Sequence, residues 1–142
     1  MSKFLWKQLS ITGVPGILGG LLRYTTYLGI NQLFSHQSWI ATICVNVIGT
    51  FLLSLLIEIE VNHFGDYKSE VLSGLIGSFT TFSTLIADTH SLTQQFSLIF
   101  SILYIGLSIS LGLLMVPLGT HSASIFNTKY GTKINMDVEA DL

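Results

Sequence analysis

Four long apolar segments, joined by short polar connections, dominate this chain of 142 residues. They cover approximately residues 11–34, 39–59, 71–89 and 96–118. A helix of roughly 20 mostly apolar residues is long enough to cross the hydrocarbon core of a bilayer. Only 10% of the residues are charged, against roughly 25% in soluble globular domains. The sequence therefore predicts an all-α integral membrane protein with four transmembrane helices.

The connections between these segments are too short to hold a soluble domain. We expect a cytoplasmic N-terminal segment at 1–10, a transmembrane domain at 11–119, and a polar, flexible C-terminal tail at 120–142. The formal net charge of −2 offers no basis for nucleic-acid binding. The four histidines lie far apart in connections and in the tail, without the spacing of metal ligands. No catalytic triad, phosphate-binding loop or dinucleotide motif is present, so the sequence predicts a protein that is not an enzyme.

The third apolar segment is poorly suited to a continuous helix. Its centre, residues 74–84, reads GLIGSFTTFST and contains two glycines and five hydroxyl residues. Within a bilayer, irregular backbone is tolerated only where protein or a water-filled cavity surrounds it. The carbonyl and amide groups of such a break can coordinate ions. The sequence therefore predicts a broken helix, interrupted between Gly77 and Thr80, as the functional centre.

The first segment carries Arg23 near its middle, where a charge costs a few kcal/mol on insertion scales. Either this guanidinium faces protein or water as a positive vestibule that attracts anions, or the helix starts later and the side chain snorkels to an interface. Gly16 and Gly20 lie four residues apart on one helix face, which predicts close packing against another helix.

Asn46 lies near the middle of the second segment, where a buried amide must be hydrogen-bonded. It either links two helices or donates to a pore. Tyr104 and Ser108 share one face of the fourth segment, although a serine can also bond to its own helix. The third and fourth segments otherwise supply hydroxyl donors rather than cations, a composition that suits a small, strongly hydrated anion.

The charges of the connections predict an orientation. If the N-terminus is cytoplasmic, every lysine lies on the cytoplasmic side, and the two opposite connections contain no Lys or Arg. These five residues are Lys3, Lys7, Lys68, Lys129 and Lys133. Because cytoplasmic loops carry the excess of Lys and Arg, we expect a multi-pass protein of the cell membrane with both termini in the cytoplasm.

Glycine and polar residues form a sequence pattern in each of the four segments. The patterns are Gly16-x-x-Gly19-x-x-x-Arg23-Tyr24, Val45-Asn46-x-x-Gly49-x-Phe51, Gly74-x-x-Gly77-x-x-Thr80-Thr81-Phe82-Ser83-Thr84 and Tyr104-x-x-x-Ser108. Together they resemble the Fluc/CrcB fluoride ion channel family over about residues 11–119. The third pattern alone is specific to this family. The other three are weak singly, and they support the resemblance because they occur in the same order along the chain.

The resemblance implies a fold and an activity. It implies an antiparallel dimer of four-helix subunits in the lipid bilayer, with two fluoride pores and a structural sodium ion (Na+) at the dimer centre. The implied activity is passive export of fluoride, which relieves its toxicity.

The resemblance also implies roles for individual residues. The backbone carbonyls of Gly77 and Thr80 would hold the sodium ion, and Arg23 would lie at a vestibule or at the dimer interface. The fluoride pore would be lined by Asn46, Phe82, Ser83, Thr84, Tyr104 and Ser108. In this set Phe82 would present the positive edge of its ring to the anion.

Two features depart from the family pattern. Leu85 stands where the family usually has a second phenylalanine, and leucine has no polarised ring edge. An antiparallel homodimer requires one chain to insert in both orientations, whereas a five-to-zero lysine bias favours a single orientation. Together these features indicate one half of a heterodimer with a related subunit, with a homodimer as the alternative.

Two other classes of protein are compatible with four short helices. A small proton-coupled multidrug-type exporter would need a carboxylate in the first segment, which contains Arg23 and no acid. A non-transporting membrane assembly protein would account for the apolar segments, but it would not require the glycine and hydroxyl break in the third.

Overall fold

The computed structural model describes residues 2–34, 37–59 and 67–140, with side chains from Trp6 to Thr128 within those ranges. This part of the chain is helical, as the composition predicted. The helices are α1 (Ser2–Leu33), α2 (Ser38–Glu58), α3 (Lys68–Phe79), α4 (Phe82–Gln95) and α5 (Leu98–Ala140). The third predicted span is thus divided into α3 and α4, as expected. The interruption falls at Thr80 and Thr81 rather than between Gly77 and Thr80, because α3 remains helical through Phe79.

Three of the four predicted spans are long and apolar enough to cross a membrane, namely Ser38–Glu58, the broken pair Lys68–Gln95, and Leu98–Thr128. The first predicted span lies within α1, which has 32 residues. This helix does not reach the same apolar character, because Arg23 and its glycine and threonine residues dilute the aliphatic side chains. The prediction of four equally apolar spans is therefore corrected to three, with α1 as a less apolar fourth helix.

The helices pack in two principal pairs, α1 along α3 and α2 along α5, with α4 against α5. Backbone contacts hold the first pair together. A Cβ atom at Gly19 would overlap the carbonyl oxygen of Leu75, and one at Gly74 would overlap that of Thr12. Such contact between backbones is typical of small residues at membrane helix interfaces.

The glycine face of α1 differs from the predicted one. Gly16 does lie near the contact, since its Cβ would be 3.2 Å from the Ser78 hydroxyl oxygen. A Cβ at Gly20 would meet nothing within 4 Å, so Gly20 takes no part in the packing. Gly19, three residues after Gly16, takes its place, because its Cβ would overlap the Leu75 carbonyl of α3.

Three helix ends meet at one end of the bundle, where two lysines are engaged. The Lys68 ammonium donates to the carbonyl oxygens of Ile57, at 2.9 Å, and of Ile59, so it caps the end of α2. Lys7 donates to the Tyr67 hydroxyl oxygen at 2.6 Å and lies 4.6 Å from the centre of that ring. The N-terminal part of α1 and the start of α3 are therefore tied to the end of α2.

The segment 120–142 was predicted to be a flexible tail, but its backbone continues α5 as a helix to Ala140. The first two turns have packing partners. Ala123 is fully buried, and the Asn127 amide donates to the Glu58 carbonyl oxygen at 2.8 Å. Burial of Ala123 and the bond from Asn127 to the end of α2 stabilise the helix beyond the apolar segment.

The α1–α3 contact predicts different responses from two neighbouring glycines. Gly19→Ala should lower the stability of the bundle by about 1–3 kcal/mol, because the added methyl group displaces the α3 backbone. Gly20→Ala, the matched control, should leave stability unchanged or raise it slightly. The measurement is the thermal midpoint of the detergent-solubilised protein. Equal midpoints for the two variants would contradict the assigned contact.

Candidate functional site

The interruption between α3 and α4 is made by two residues in extended conformation. Thr80 has φ −74° and ψ 161°, and Thr81 has φ −149° and ψ 120°. The amide and hydroxyl of Thr80 both donate to the Ile76 carbonyl oxygen and close the last turn of α3. The Thr81 hydroxyl accepts from the Thr84 amide at 3.2 Å and caps the start of α4. The two helices thus end and begin with their own capping groups.

Asn46 of α2 holds this interruption from the side. Its amide nitrogen donates to the Thr81 carbonyl oxygen at 3.0 Å, and its amide oxygen accepts from the Thr81 backbone N–H at 2.8 Å. Only a side-chain amide can donate and accept in this way. In a continuous helix the Thr81 N–H would bond to Gly77, so the Asn46 contact leaves the Gly77 carbonyl without its i+4 donor.

The close approach of α2 to the interruption depends on Gly49, which lies three residues after Asn46 on the same face. A Cβ atom there would overlap the Thr80 methyl group and approach the Phe79 ring within 3.3 Å. A larger residue would therefore separate α2 from Thr80 and lengthen the bonds that Asn46 makes. Gly49 was part of the pattern found in the second segment, but the sequence did not show that Thr80 lies against it.

A cavity of about 330 Å³ lies beside the interruption. Its wall includes Asn46, Gly49, Thr50, Leu53, Ile76, Gly77, Thr80, Thr81 and Phe82. Phe82 is 73% exposed, and Gly77 and Ser83 are exposed as well. The structure therefore brings four of the predicted site residues together, on a surface that no other part of the described chain covers.

Asn46 also lines a second groove, of about 310 Å³, between α2 and α5. Ser108 lies in this groove and is only 7% exposed, so its hydroxyl is on the inner face of α5. Tyr104, one turn away along α5, is buried in a separate cluster with Leu85 and Leu92. The predicted pore residues are thus distributed along α2 on both sides of Asn46 rather than gathered at one point.

Arg23 lies on the other side of the interruption. Its guanidinium donates to the Thr80 carbonyl oxygen at 3.5 Å. It also lines a cavity of about 380 Å³ with Tyr24, Tyr27, Asn31 and Thr84. Of the two interpretations of Arg23, this geometry matches the inward-facing guanidinium, because a snorkelling side chain would turn away from the interruption.

Asp88 forms a hydroxyl cluster that the sequence did not predict. The carboxylate is 7% exposed and accepts from Ser38 at 3.0 Å, from Thr42, and from Tyr104 at 3.4 Å. Thr42 in turn contacts the Tyr27 hydroxyl. A signal was present in the sequence, because Ser38 and Thr42 lie four residues apart on one face of α2 and Asp88 is an acid inside an apolar segment.

The Asn46 contact predicts a specific loss of stability. Asn46→Asp retains an acceptor for the Thr81 N–H but places a second oxygen against the Thr81 carbonyl, which should cost about 1–3 kcal/mol. Gln94→Glu, an amide-to-acid change at an exposed position of α4, serves as the control. We expect a lower thermal midpoint in detergent for Asn46→Asp only. Equal midpoints for both variants and the parent chain would refute the clamping role of Asn46.

Comparisons with known proteins agree with this architecture. The family model described as "CrcB-like protein, Camphor Resistance (CrcB)" matches residues 10–120. A protein of Campylobacter hominis named "Fluoride-specific ion channel FluC" is 35% identical over 118 residues, covering 81% of this chain and 94% of the relative.

Two further relatives have similar names. "Fluoride-specific ion channel FluC 1" of Bacillus cereus is 39% identical over 113 residues, which cover 77% of this chain and 78% of that protein. "Fluoride-specific ion channel FluC" of Cereibacter sphaeroides is 34% identical over 98 residues, covering 69% and 79% respectively. The family match spans all four predicted transmembrane segments, and the chain therefore belongs to the CrcB-like family.

Proposed function

We propose that this chain is a subunit of a fluoride-selective ion channel, rather than an enzyme, and that it exports fluoride passively across the cell membrane. The observation that carries the proposal is the clamped interruption of a membrane-spanning helix, in a chain whose relatives are named fluoride-specific ion channels. An interruption with free backbone groups at membrane depth is typical of an ion site. Passive transport needs no nucleotide or redox site.

Fluoride is a small anion that holds its water strongly, so a pore must replace that water with hydrogen-bond donors. Asn46 uses one of its two amide hydrogens on Thr81 and has a second to offer the adjoining cavities. The exposed ring of Phe82 would supply its positive edge beside Asn46. Ser83, Thr84, Tyr104 and Ser108 would add hydroxyl contacts along the path.

The interruption also suits a structural sodium ion. Hard cations prefer oxygen ligands, and the Gly77 carbonyl has lost its helical donor to Asn46. The Thr80 carbonyl would be the second ligand, with one lone pair remaining beside the contact from Arg23. Two carbonyls are too few for one ion, so the site requires a second subunit. A crystal structure with water instead of sodium at this position would contradict the assignment.

An antiparallel dimer would complete both sites. Gly77, Phe82 and Ser83 are exposed on one surface of the described subunit, beside the cavity at the interruption. Irregular backbone at membrane depth must be surrounded by protein or water, and this surface carries the Gly77 carbonyl that the sodium ion would need. In an antiparallel pair each subunit would place its own interruption against that of the other.

We further propose that the partner is a related chain of opposite orientation. Lys7 and Lys68 are both engaged at one end of the bundle, where Asn127 also reaches the end of α2. The connections at the other end contain no Lys or Arg. Leu85 is packed in the same cluster as Tyr104, so the missing second phenylalanine would weaken an anion station beside that hydroxyl. A partner that carries the phenylalanine and the reversed charges would compensate for both features.

Fluoride efflux from liposomes tests the proposed activity. The assembled dimer, whether it contains one kind of subunit or two, is reconstituted into liposomes. It should release fluoride and retain chloride. Phe82→Ile keeps an apolar side chain without a polarised edge, and it should reduce the fluoride rate at least tenfold while the dimer persists. Chloride and fluoride released at equal rates would rule out a fluoride-selective channel.

Expression of this chain alone tests the heterodimer. We expect cysteine labelling to find the N-terminus on the cytoplasmic side in nearly every copy, because of the lysine bias. The purified chain should then be inactive until a related subunit is added. Labelling on both sides together with robust efflux from the chain alone would establish a homodimer instead.

A further inference from the structure

Helices α2 and α5 meet backbone to backbone at Gly119, a buried glycine of α5. A Cβ atom at this position would overlap the Ser54 hydroxyl oxygen of α2. It would also lie 2.7 Å from the Phe51 carbonyl oxygen and 3.0 Å from the Leu55 backbone nitrogen. The last two atoms belong to the backbone of α2, so they cannot yield unless the helix moves. The absence of a side chain at Gly119 therefore sets how closely the two helices approach.

The Ser54 side chain is held at the same contact. Its hydroxyl oxygen lies 2.9 Å from the Thr50 carbonyl oxygen and 3.0 Å from the Phe51 carbonyl oxygen of its own helix. It also lies 3.5 Å from the Met115 carbonyl oxygen of α5. One hydroxyl hydrogen serves these acceptors, and the group is positioned between the two helices. Rotation of Ser54 away from an added methyl group would therefore break bonds that it makes here.

Two further residues of α5 keep this contact closed. Ala123 and Asn127 follow Gly119 at four-residue intervals, so the three share one face of the helix. Ala123 is fully buried, and the Asn127 amide donates to the Glu58 carbonyl oxygen at 2.8 Å. The family match ends at residue 120, so these two contacts lie outside the matched segment.

The α2–α5 groove of about 310 Å³ lies beside this contact, towards the start of both helices. Its wall includes Asn46 and Thr50 of α2 and Ser108 and Gly112 of α5. A Cβ atom at Gly112 would be 3.9 Å from the Thr50 hydroxyl oxygen, which is an ordinary contact distance. The helices therefore leave more space at Gly112 than at Gly119, and the groove widens away from the glycine contact.

An aromatic contact holds the two helices beyond the other end of the groove. Trp39 near the start of α2 and Tyr104 of α5 have ring centroids 6.2 Å apart and meet edge to face. The groove thus lies between an aromatic contact and a glycine contact. Because the aromatic contact is fixed by packing of its own, a change of spacing at Gly119 would change the width of the groove instead of moving α5 as a whole.

We propose that the backbone contact at Gly119 fixes the width of the α2–α5 groove and thereby excludes anions larger than fluoride. Asn46 and Ser108 supply donors from opposite walls of this groove. Walls that are close together can both contact a small anion, whereas a larger anion must separate them. Gly119 acts through the spacing of the helices, so it is a positioning residue that determines specificity. This inference rests on the proposed function.

The ratio of fluoride to chloride efflux from liposomes tests this role. Gly119→Ala adds one methyl group and should lower the ratio about tenfold, because the displaced helices let chloride pass. Gly106→Ala is the matched control on the same helix, since a Cβ atom there would meet no described atom within 4 Å. Its ratio should equal that of the parent protein. Partial unfolding would lower both rates in proportion and would leave the ratio unchanged.

A second variant loosens the contact without adding volume to it. Asn127→Leu keeps a side chain of similar size but removes the bond to the Glu58 carbonyl oxygen. It should lower the fluoride-to-chloride ratio in the same direction by about threefold, because a lost hydrogen bond moves the helices less than an overlapping methyl group. If Gly119→Ala does not assemble, Asn127→Leu decides the question.

Four outcomes would overturn the inference. An unchanged ratio in Gly119→Ala and Asn127→Leu, with fluoride efflux intact, would reject it and leave the proposed channel standing. A proportional loss of both rates in Gly119→Ala would assign this glycine to stability alone. An equal fall of the ratio in Gly106→Ala would show that the position of the methyl group does not matter. A parent dimer that releases no fluoride would reject the proposed function together with the inference.

Discussion

The bond pair between Asn46 and Thr81 determines the local architecture on which the proposed site depends. A helix that stops and restarts inside a bilayer leaves backbone groups that water cannot satisfy. Asn46 satisfies both the N–H and the carbonyl of Thr81 from a neighbouring helix. The same contact prevents Thr81 from bonding to Gly77, so it stabilises the interruption and also frees a carbonyl. A single side chain thereby couples the stability of the interruption to the availability of a free backbone carbonyl.

Close helix packing makes that contact possible. Gly49 allows α2 to reach Thr80, and Gly19 and Gly74 allow α1 and α3 to meet along their backbones. Because the interiors of proteins are densely packed, a methyl group at either contact must move a helix. The distance between Asn46 and Thr81 therefore depends on glycines that make no hydrogen bond to the interruption themselves.

Charge is distributed unequally around the interruption. Arg23 contacts the Thr80 carbonyl on one side, whereas the buried acid Asp88 lies among hydroxyl groups further along α4. A fixed positive charge favours the approach of an anion, and a fixed negative charge opposes it. Among the described side chains, Arg23 and Asp88 are the arginine and the acid that lie away from the ends of their helices.

The sequence alone determined the helical membrane class and the presence of an interruption in the third apolar segment, because apolar length and the glycine and hydroxyl content act locally. Its exact position, at Thr80 and Thr81, came from the structure. It also singled out Asn46 and Arg23, since a polar group in an apolar segment must find a partner. The tertiary structure determined which groups are the partners: the Thr81 backbone for Asn46 and the Thr80 carbonyl for Arg23. It placed Gly19 rather than Gly20 at the α3 contact, and it continued α5 through the expected tail. It also joined Asp88 to Ser38, Thr42 and Tyr104. Helical periodicity specifies which residues share a face, but the angle and distance at which two faces meet depend on the packing of the whole bundle.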